Sequence, residues 1–233
     1  MMRQRPRGLF VTGTDTNVGK TFVASLIARD LVALGYRVGV YKPAASGCRR
    51  EGAELISDDA LALWEAAGRP ANFAQVCPQC FEAPLAPHLA AIREGRRLDR
   101  DQLRQGFDFW RDSSDFVLVE GAGGLMSPLG EQEYVADLVC DLGLPLVVVG
   151  RNELGAINQV LQTLVAAAVF RQALDVAGYV LNQVRPEEDG SVETNAAELR
   201  NRAAPPLLAE VPFGAKRFEA QIDWYALGNM PHS

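Results

Sequence analysis

The sequence predicts an α/β fold, a mostly parallel sheet with helices on both faces, of the P-loop NTPase type. Three observations carry that expectation. Short Val- and Leu-rich strand patterns alternate with helical patterns long enough to cross over between parallel strands. Two of the strand patterns, at residues 115–120 and 145–150, are nearly continuous apolar runs, as strands buried on both faces are. The third is the run Gly-Thr-Asp-Thr-Asn-Val-Gly-Lys-Thr at residues 13–21, which carries the leading glycine and the Gly-Lys-Thr end of G-x-x-x-x-G-K-[ST], with five rather than four residues between the two glycines. It lies between a strand pattern and a helix pattern, the context that this phosphate-binding motif requires.

The elements follow in order. Residues 8–12 read as a strand leading into the loop, with Gly13 at its end. The helix behind the loop runs to about Leu34, places Val23, Leu26, Ile27, Leu31 and Leu34 on one face, and stops at Gly35. Residues 37–41 form the second strand, ended by the Pro43 to Gly47 loop. Residues 48–57 look irregular. Ser57 and Asp58 are placed to cap a helix over residues 59–67, with Leu61, Leu63 and Trp64 as its apolar positions. Residues 68–87 collect prolines and cysteines and read as an insertion without an assigned task. Helices are expected over 88–93 and 101–111. The strand at 115–120 ends at Gly121 to Gly124. Then come a helix over 134–142, the strand at 145–150, a long helix over 155–173 and a strand at 176–181 ending at Asn182. An acidic turn at 187–190, a helix over 193–202 and a last strand at 207–211 complete the alternation.

Composition bounds the function. The chain has 233 residues, 48% hydrophobic, which suits one α/β domain over residues 1–233 with residues 1–7 as a flexible tail. With 23 basic and 29 acidic residues the net charge is −6, so a broad nucleic-acid surface is not expected. No apolar run reaches the roughly 18 residues that span a bilayer, and no signal-type stretch precedes the loop, which points to the cytoplasm. Cys77 and Cys80 form a lone C-x-x-C. His88 and His232, the two histidines, do not give zinc spacing with it, so Cys48, Cys77, Cys80 and Cys140 read as ordinary thiols.

In open α/β sheets ligands bind at the carboxyl ends of strands. The noteworthy polar groups fall there: the loop, Lys42, Glu120, Arg151 with Asn152 and Glu153, Asn182 and Pro212. Lys20 suits the β/γ-phosphates and Thr21 a magnesium ion. Lys42 either aims a positive charge across the sheet top or is a surface lysine. Glu120 either holds Mg²⁺ or caps the glycine turn after it. Asp58 and Asp59 are either a second carboxylate pair or helix N-cap groups. The glycines after Glu120 let a ligand approach the backbone closely. The helix start at residues 155–158 has free N–H groups that suit an anion.

Residues 11–21, Tyr41-Lys42-Pro43, Ala45-Ser46-Gly47, Asp59-Ala60-Leu61-Ala62-Leu63, Pro87-His88, Val119-Glu120-Gly121-Ala122-Gly123-Gly124 and Leu154-Gly155-Ala156-Ile157-Asn158 together resemble the dethiobiotin synthetases of the biotin pathway, in order from about Phe10 to Pro212. The resemblance implies an ATP- and Mg²⁺-dependent ligase that closes a ureido ring on 7,8-diaminopelargonate with CO₂, by way of a carbamate and a carbamic–phosphoric anhydride. It implies a nucleotide site of Thr14, Asp15, Thr16, Asn17, Val18, Gly19, Lys20, Thr21, Asn182, Gln183, Pro212 and Phe213. Lys20 and Lys42 are then the catalytic lysines, and Thr21, Asp59 and Glu120 hold the metal, with Asp59 aligning better than Asp58. Ser46, Glu120, Gly121, Ala122, Gly123 and Gly124 face the substrate. Gly155, Ala156 and Asn158 resemble the segment that binds the substrate's distal carboxylate across a homodimer interface. Two departures stand out: Asn17 where relatives often carry Glu, and Leu125-Met126 where a larger aromatic is common.

Two other functions share part of this pattern. A different P-loop amide or ring-closing ligase would share the phosphate grip, but not Lys42-Pro43 with Ser46-Gly47. A partitioning-type ATPase switch would carry a signature lysine where this chain has Asp15.

Overall fold

The computed structural model describes residues 7–186 and 189–230. The first strand, β1 (Gly8–Gly13), runs into the glycine-rich loop, and α1 (Lys20–Ala33) follows. Val23, Leu26, Ile27 and Leu31 face the core as expected. Leu34 does not. It occupies the C-cap, past the last helical turn, and is 67% exposed. Next come β2 (Val38–Tyr41) and the two-residue β3 (Ala44–Ala45). Residues 48–57 are a hairpin rather than irregular chain: β4 (Arg49–Glu51) pairs antiparallel with β5 (Glu54–Ile56) around Gly52, whose φ is 61°. Its strands are three residues long and carry no apolar alternation, so no periodic signal marked them. In α2 (Asp58–Ala66) the Ser57 hydroxyl accepts from the Ala60 N–H at 3.2 Å, the expected cap.

The proline- and cysteine-bearing segment has a structural task after all. It makes a 3₁₀ turn at Phe73–Gln75 and then β6 (Gln79–Cys80), which pairs parallel with β3. Lys42 donates its N–H to Val76 O at 2.8 Å, Phe81 donates to Ala45 O at 2.9 Å, and Cys48 donates to Phe81 O at 2.9 Å. The segment therefore backs residues 42–48 along their length. Cys77 and Cys80 are free thiols within it, their sulfurs 3.5 Å apart.

After α3 (Pro87–Arg93) and α4 (Arg100–Ser113) comes β7 (Phe116–Gly124), which is longer than expected. The strand does not stop at Glu120 but continues through the glycines, with Gly124 paired to Gly13. Small residues make that possible: a Cβ at Gly121 would lie 2.9 Å from the Phe10 ring. Then follow α5 (Val135–Leu142), β8 (Leu146–Arg151), α6 (Ala156–Val169), β9 (Val176–Asn182), α7 (Val192–Arg202), β10 (Leu207–Val211) and α8 (Trp224–Leu227). The long helix ends at Val169, earlier than expected, because Phe170 turns extended and Arg171 and Ala173 take positive φ. The expected tail lies outside the described residues except Arg7, whose carbonyl accepts from Val117 N–H at 2.9 Å. Glu187 and Glu188 of the expected acidic turn, and His232, also lie outside them.

Six strands form one parallel sheet in the order β10-β9-β8-β1-β7-β2. The chain builds outward from β1 to β2, returns through β7, then crosses β1 to start β8. The loops after β1, β7 and β8 thus open side by side at the carboxyl edge, where such a reversal makes a crevice. Both faces are covered. Val148, Tyr179 and Leu181 pack with α6 and α7, while Val147, Val149 and Val180 belong to the larger core that holds α1. Among the described residues no helix is long and apolar enough to cross a membrane.

A surface clamp ties the amino ends of β2 and β7. Arg37 meets Asp115 through Nε at 3.0 Å, Nη2 at 2.6 Å and its backbone N–H at 2.9 Å. The Arg37 side-chain hydrogen bonds, then its N–H and charge, hold the Asp115 carboxyl down at about 2. A depressed carboxyl stabilises the fold above its unfolded value of about 4, and that contribution is lost as pH falls through the folded value. Asp115→Asn is therefore expected to lower the urea midpoint at neutral pH, with the gap to wild type closing towards pH 2, as equilibrium unfolding across that range will report.

Candidate active site

Gly19 is the N-cap of α1, in the left-handed region at φ 86°, with no side-chain cap on the helix. The N–H groups of that first turn are left for a ligand, and the helix dipole favours an anion there. Asn17 is also left-handed, at φ 58°, a conformation that asparagine tolerates better than most residues. Gly19 has no alternative, since a Cβ would lie 2.1 Å from Asn182 Nδ2. The Lys20 ammonium curls back over its loop and donates to Asp15 O at 3.1 Å.

The loop forms one wall of a cleft of about 680 Å³. Of the expected nucleotide residues, Thr16, Asn17, Gly19, Lys20, Thr21, Asn182, Gln183 and Phe213 line it. Of the expected substrate and metal residues, Lys42, Ser46, Asp59, Glu120, Ala122 and Gly123 do so. Others are not brought to it. Thr14, Asp15 and Gly124 line a second cavity of about 410 Å³, with Leu125 and Met126 on its wall. The Val18 side chain is buried in the core, and Gly121 packs against Phe10. Pro212 is exposed beside the cleft, and Gly155, Ala156 and Asn158 at the start of α6 lie outside its lining. Phe22, Val184 and Gly214 line the cleft without any advance signal in the sequence.

The charged centre is tightly drawn. Lys42, 3% exposed, donates to Glu120 Oε1 at 2.7 Å and sits 3.1 Å from Asp59 Oδ2. Thr21 Oγ1 donates to the same Glu120 oxygen at 2.8 Å. Glu120 is 1% exposed, and its other oxygen, Oε2, is buried without a partner. Because β7 continues past Glu120, no glycine turn exists for this carboxylate to cap. Burial alone would push the Lys42 ammonium down, but Glu120 and Asp59 outweigh it and hold Lys42 above its ordinary range. Lys20 goes the other way: burial lowers it, Glu120 opposes, and Lys42 adds repulsion. Asp58 points elsewhere, bonded to Arg49 Nε at 2.6 Å, so of the two aspartates only Asp59 faces the centre.

At the far end, Asn182 Nδ2 donates to Val18 O at 3.0 Å, which fixes its amide orientation because a carbonyl can only accept. Its Oδ1 is buried and unpartnered. Arg151, the last residue of β8, donates from Nη2 to Thr16 O at 2.9 Å and from Nε to Asn17 O at 3.3 Å. Its place at a strand end was the one sequence signal for it.

Comparison with known proteins places this geometry in context. A family model described as an AAA domain matches residues 7–217. The ATP-dependent dethiobiotin synthetase of Rhodopirellula baltica is 41% identical over 213 residues, covering 87% of this chain and 82% of the relative. That of Anaeromyxobacter dehalogenans is 44% identical over 207 residues, covering 89% and 90%. Among solved structures, a ParA family ATPase from Chlorobium tepidum aligns with a TM-score of 0.53 at 14% identity, over 89% of this chain and 84% of that one. The signal recognition particle receptor FtsY of Elizabethkingia anophelis, in complex with GDP, aligns with a TM-score of 0.52 at 15% identity. That match covers 98% of this chain and 64% of the receptor chain. At such identities the structural matches speak for the parallel P-loop fold.

The buried pair makes a quantitative demand on stability. Removing one partner leaves a charge stranded in the interior, so Lys42→Met should cost about 3 kcal/mol in urea unfolding, and Lys42→Met with Glu120→Gln should recover more than half of it.

Proposed function

The chain belongs to the dethiobiotin synthetase family, and we propose that its cleft carries out ureido-ring closure with the residues gathered around Lys42. The protein is an ATP-dependent ligase that makes dethiobiotin. The substrates we assign are 7,8-diaminopelargonate, CO₂ and ATP. One amine of the diamine takes up CO₂ and loses a proton, giving a carbamate. A carbamate oxygen attacks the γ-phosphorus and ADP leaves. The second amine attacks the carbonyl carbon of the resulting anhydride and loses a proton, phosphate leaves with the bonding pair, and the ring is closed.

Phosphoryl transfer is mostly positioning and charge stabilisation. The loop N–H groups and Lys20 hold the phosphates. Lys42 is the group that faces both the carbamate and the γ-phosphate. The observation that carries this reading is that Lys42, held cationic by Glu120 and Asp59, lines the same cleft as the phosphate loop and Ser46. Ser46 offers a hydroxyl near the reacting end, and Ala122 and Gly123 let the diamine lie against backbone. At the base end, the free Oδ1 of Asn182 suits an exocyclic amine such as that of adenine. Gln183 and Phe213 lie beside it, and Pro212 flanks them.

Magnesium fits the oxygen set. Thr21 Oγ1, Asp59 and the unpartnered Oε2 of Glu120 are hard donors. Among the described residues no group of three His, Cys, Asp or Glu gathers into an all-protein metal cage, and Mg²⁺ asks for none, since it binds through one or two carboxylates plus phosphate and water. When bound it supplies positive charge to the β- and γ-phosphate oxygens.

We further assign the whole chain to one domain, a homodimeric assembly and a cytoplasmic setting. The dimer would bring the α6 start of one subunit, Gly155, Ala156 and Asn158, to the other's diamine carboxylate. What supports it is that these residues do not line their own cleft, and that Leu154, Val165 and Val169 around and along α6 are 83%, 60% and 72% exposed. The partitioning-type switch is disfavoured by Asp15, whose carboxylate is turned back on its own loop, accepting from Thr16 N–H at 2.7 Å.

Incubation with the diamine, ATP, Mg²⁺ and ¹³C-bicarbonate should yield a labelled cyclic urea by mass spectrometry. Lys42→Ala should cut that turnover by about two orders of magnitude or more while nucleotide affinity falls far less. Folded protein giving no labelled urea would sink the assignment, and a parallel loss of nucleotide affinity would sink the role of Lys42.

A further inference from the structure

We infer that Arg151 is a positioning residue for the phosphate loop, holding two of its peptide units so that their N–H groups face the nucleotide. The inference rests on ATP binding in that loop, as proposed above, and concerns a side chain outside the cleft lining.

Arg151 ends β8, whose neighbour β1 runs alongside it from Phe10 to Gly13. The pairing sets the Arg151 Cα just past the point where the loop leaves β1. From there the guanidinium reaches across to Thr16 O and Asn17 O. A rigid planar fork can meet two acceptors at once, which a lysine cannot do with the same geometry. Glu153, with Oε1 3.4 Å from Nη1, steadies the fork from its other side.

The consequence follows from peptide geometry. In a planar trans peptide the C=O and the next N–H point in opposite directions. Pinning Thr16 O and Asn17 O towards Arg151 therefore turns the N–H groups of Asn17 and Val18 away from it. Thr16, Asn17 and Gly19 line the cleft, and that is where the inference places these N–H groups. Asn17 is left-handed at φ 58°, a conformation that costs free energy and relaxes unless something holds it. Arg151 bonds to the carbonyls on both sides of that residue's φ and ψ, so it stabilises the strained geometry at its source.

Charge points the same way. Lys20 and Lys42 face Asp15, Asp59 and Glu120, all of which act on Lys20. Two cations among three carboxylates are a poor receptor for a triphosphate. A guanidinium behind the loop adds positive potential without competing with the phosphates for loop N–H groups. The chain just after Arg151 is held as well. Asn152 and the Glu153 carbonyl accept from buried Asn195 Nδ2 at 3.0 and 3.2 Å, and Leu154 N–H donates to Asp189 at 2.8 Å. The loop that carries Arg151 is thus fixed at three successive residues.

The experiment compares wild type, Arg151→Ala and Arg151→Lys. Calorimetric ATP affinity with Mg²⁺, KM for ATP and for the diamine, kcat, thermal unfolding and hydrogen exchange of the loop amides are read on each. Arg151→Ala should weaken ATP binding about tenfold, the scale of losing charge-assisted hydrogen bonds, and raise KM for ATP more than it lowers kcat. KM for the diamine should move less than KM for ATP, and the amides of residues 16–19 should exchange faster. Arg151→Lys should recover part of the affinity but little of the exchange protection. Unchanged ATP affinity in a folded Arg151→Ala protein overturns the inference, and so does a loss of thermal stability with loop exchange unchanged. Because the readout is binding of ATP itself, either result leaves the ring-closing reaction to be judged on its own product.

Discussion

The contact on which the rest depends is the one between Lys42 and Glu120, two oppositely charged side chains sealed almost completely from water. Such a pair adds little to stability on its own, because desolvating both charges offsets most of their attraction, and an apolar pair of similar size would serve the core as well. Its presence is a statement about the cleft. Each neighbouring element is arranged to bring these two atoms together. Glu120 must project from the middle of a strand, so β7 runs on through four residues of glycine and alanine that fit beneath the loop. Lys42 must stand at the end of β2, so the segment with the two cysteines braces the following residues through β3 and β6. Thr21, the second residue of α1, completes the triangle from the phosphate loop.

The arrangement also sets the ionisation of both lysines. Glu120 and Asp59 hold Lys42 cationic, while burial and the nearby Lys42 depress Lys20. The carboxylates therefore act twice, fixing the ionisation of one lysine and leaving open oxygens for a hard cation. Arg151 contributes from behind the loop, where it shapes the backbone rather than touching the cleft.

Much of this was legible in the residues. The phosphate loop announced itself because its glycines and Lys20-Thr21 are required by local backbone geometry, and the buried strands because parallel sheets need apolar runs. Lys42 and Ser46 follow a readable strand, Asp59 lies in the first turn of a readable helix, and Glu120 closes the apolar run of β7. What escaped had no local signature. The β4–β5 hairpin is too short and polar for periodicity. β6 exists only through its pairing with β3, a long-range contact. Leu34 looked buried because helical phase was extended one position past the last turn. Gly121 to Gly124 read as a turn, although glycine also permits a strand to be closely packed, and only pairing with β1 distinguishes the two. Arg151 shows the same limit: its meaning lies in two carbonyls more than a hundred residues away.

The central claim is that one cleft brings a carbamate oxygen, steadied by Lys42, onto the γ-phosphorus held by the loop. Turnover with ¹⁸O-labelled CO₂ tests it most directly. If the carbamate oxygen is the nucleophile, the phosphate released carries one ¹⁸O atom drawn from the CO₂, and the ring carbonyl keeps the other. Phosphate free of that label, alongside labelled ring, would contradict the account.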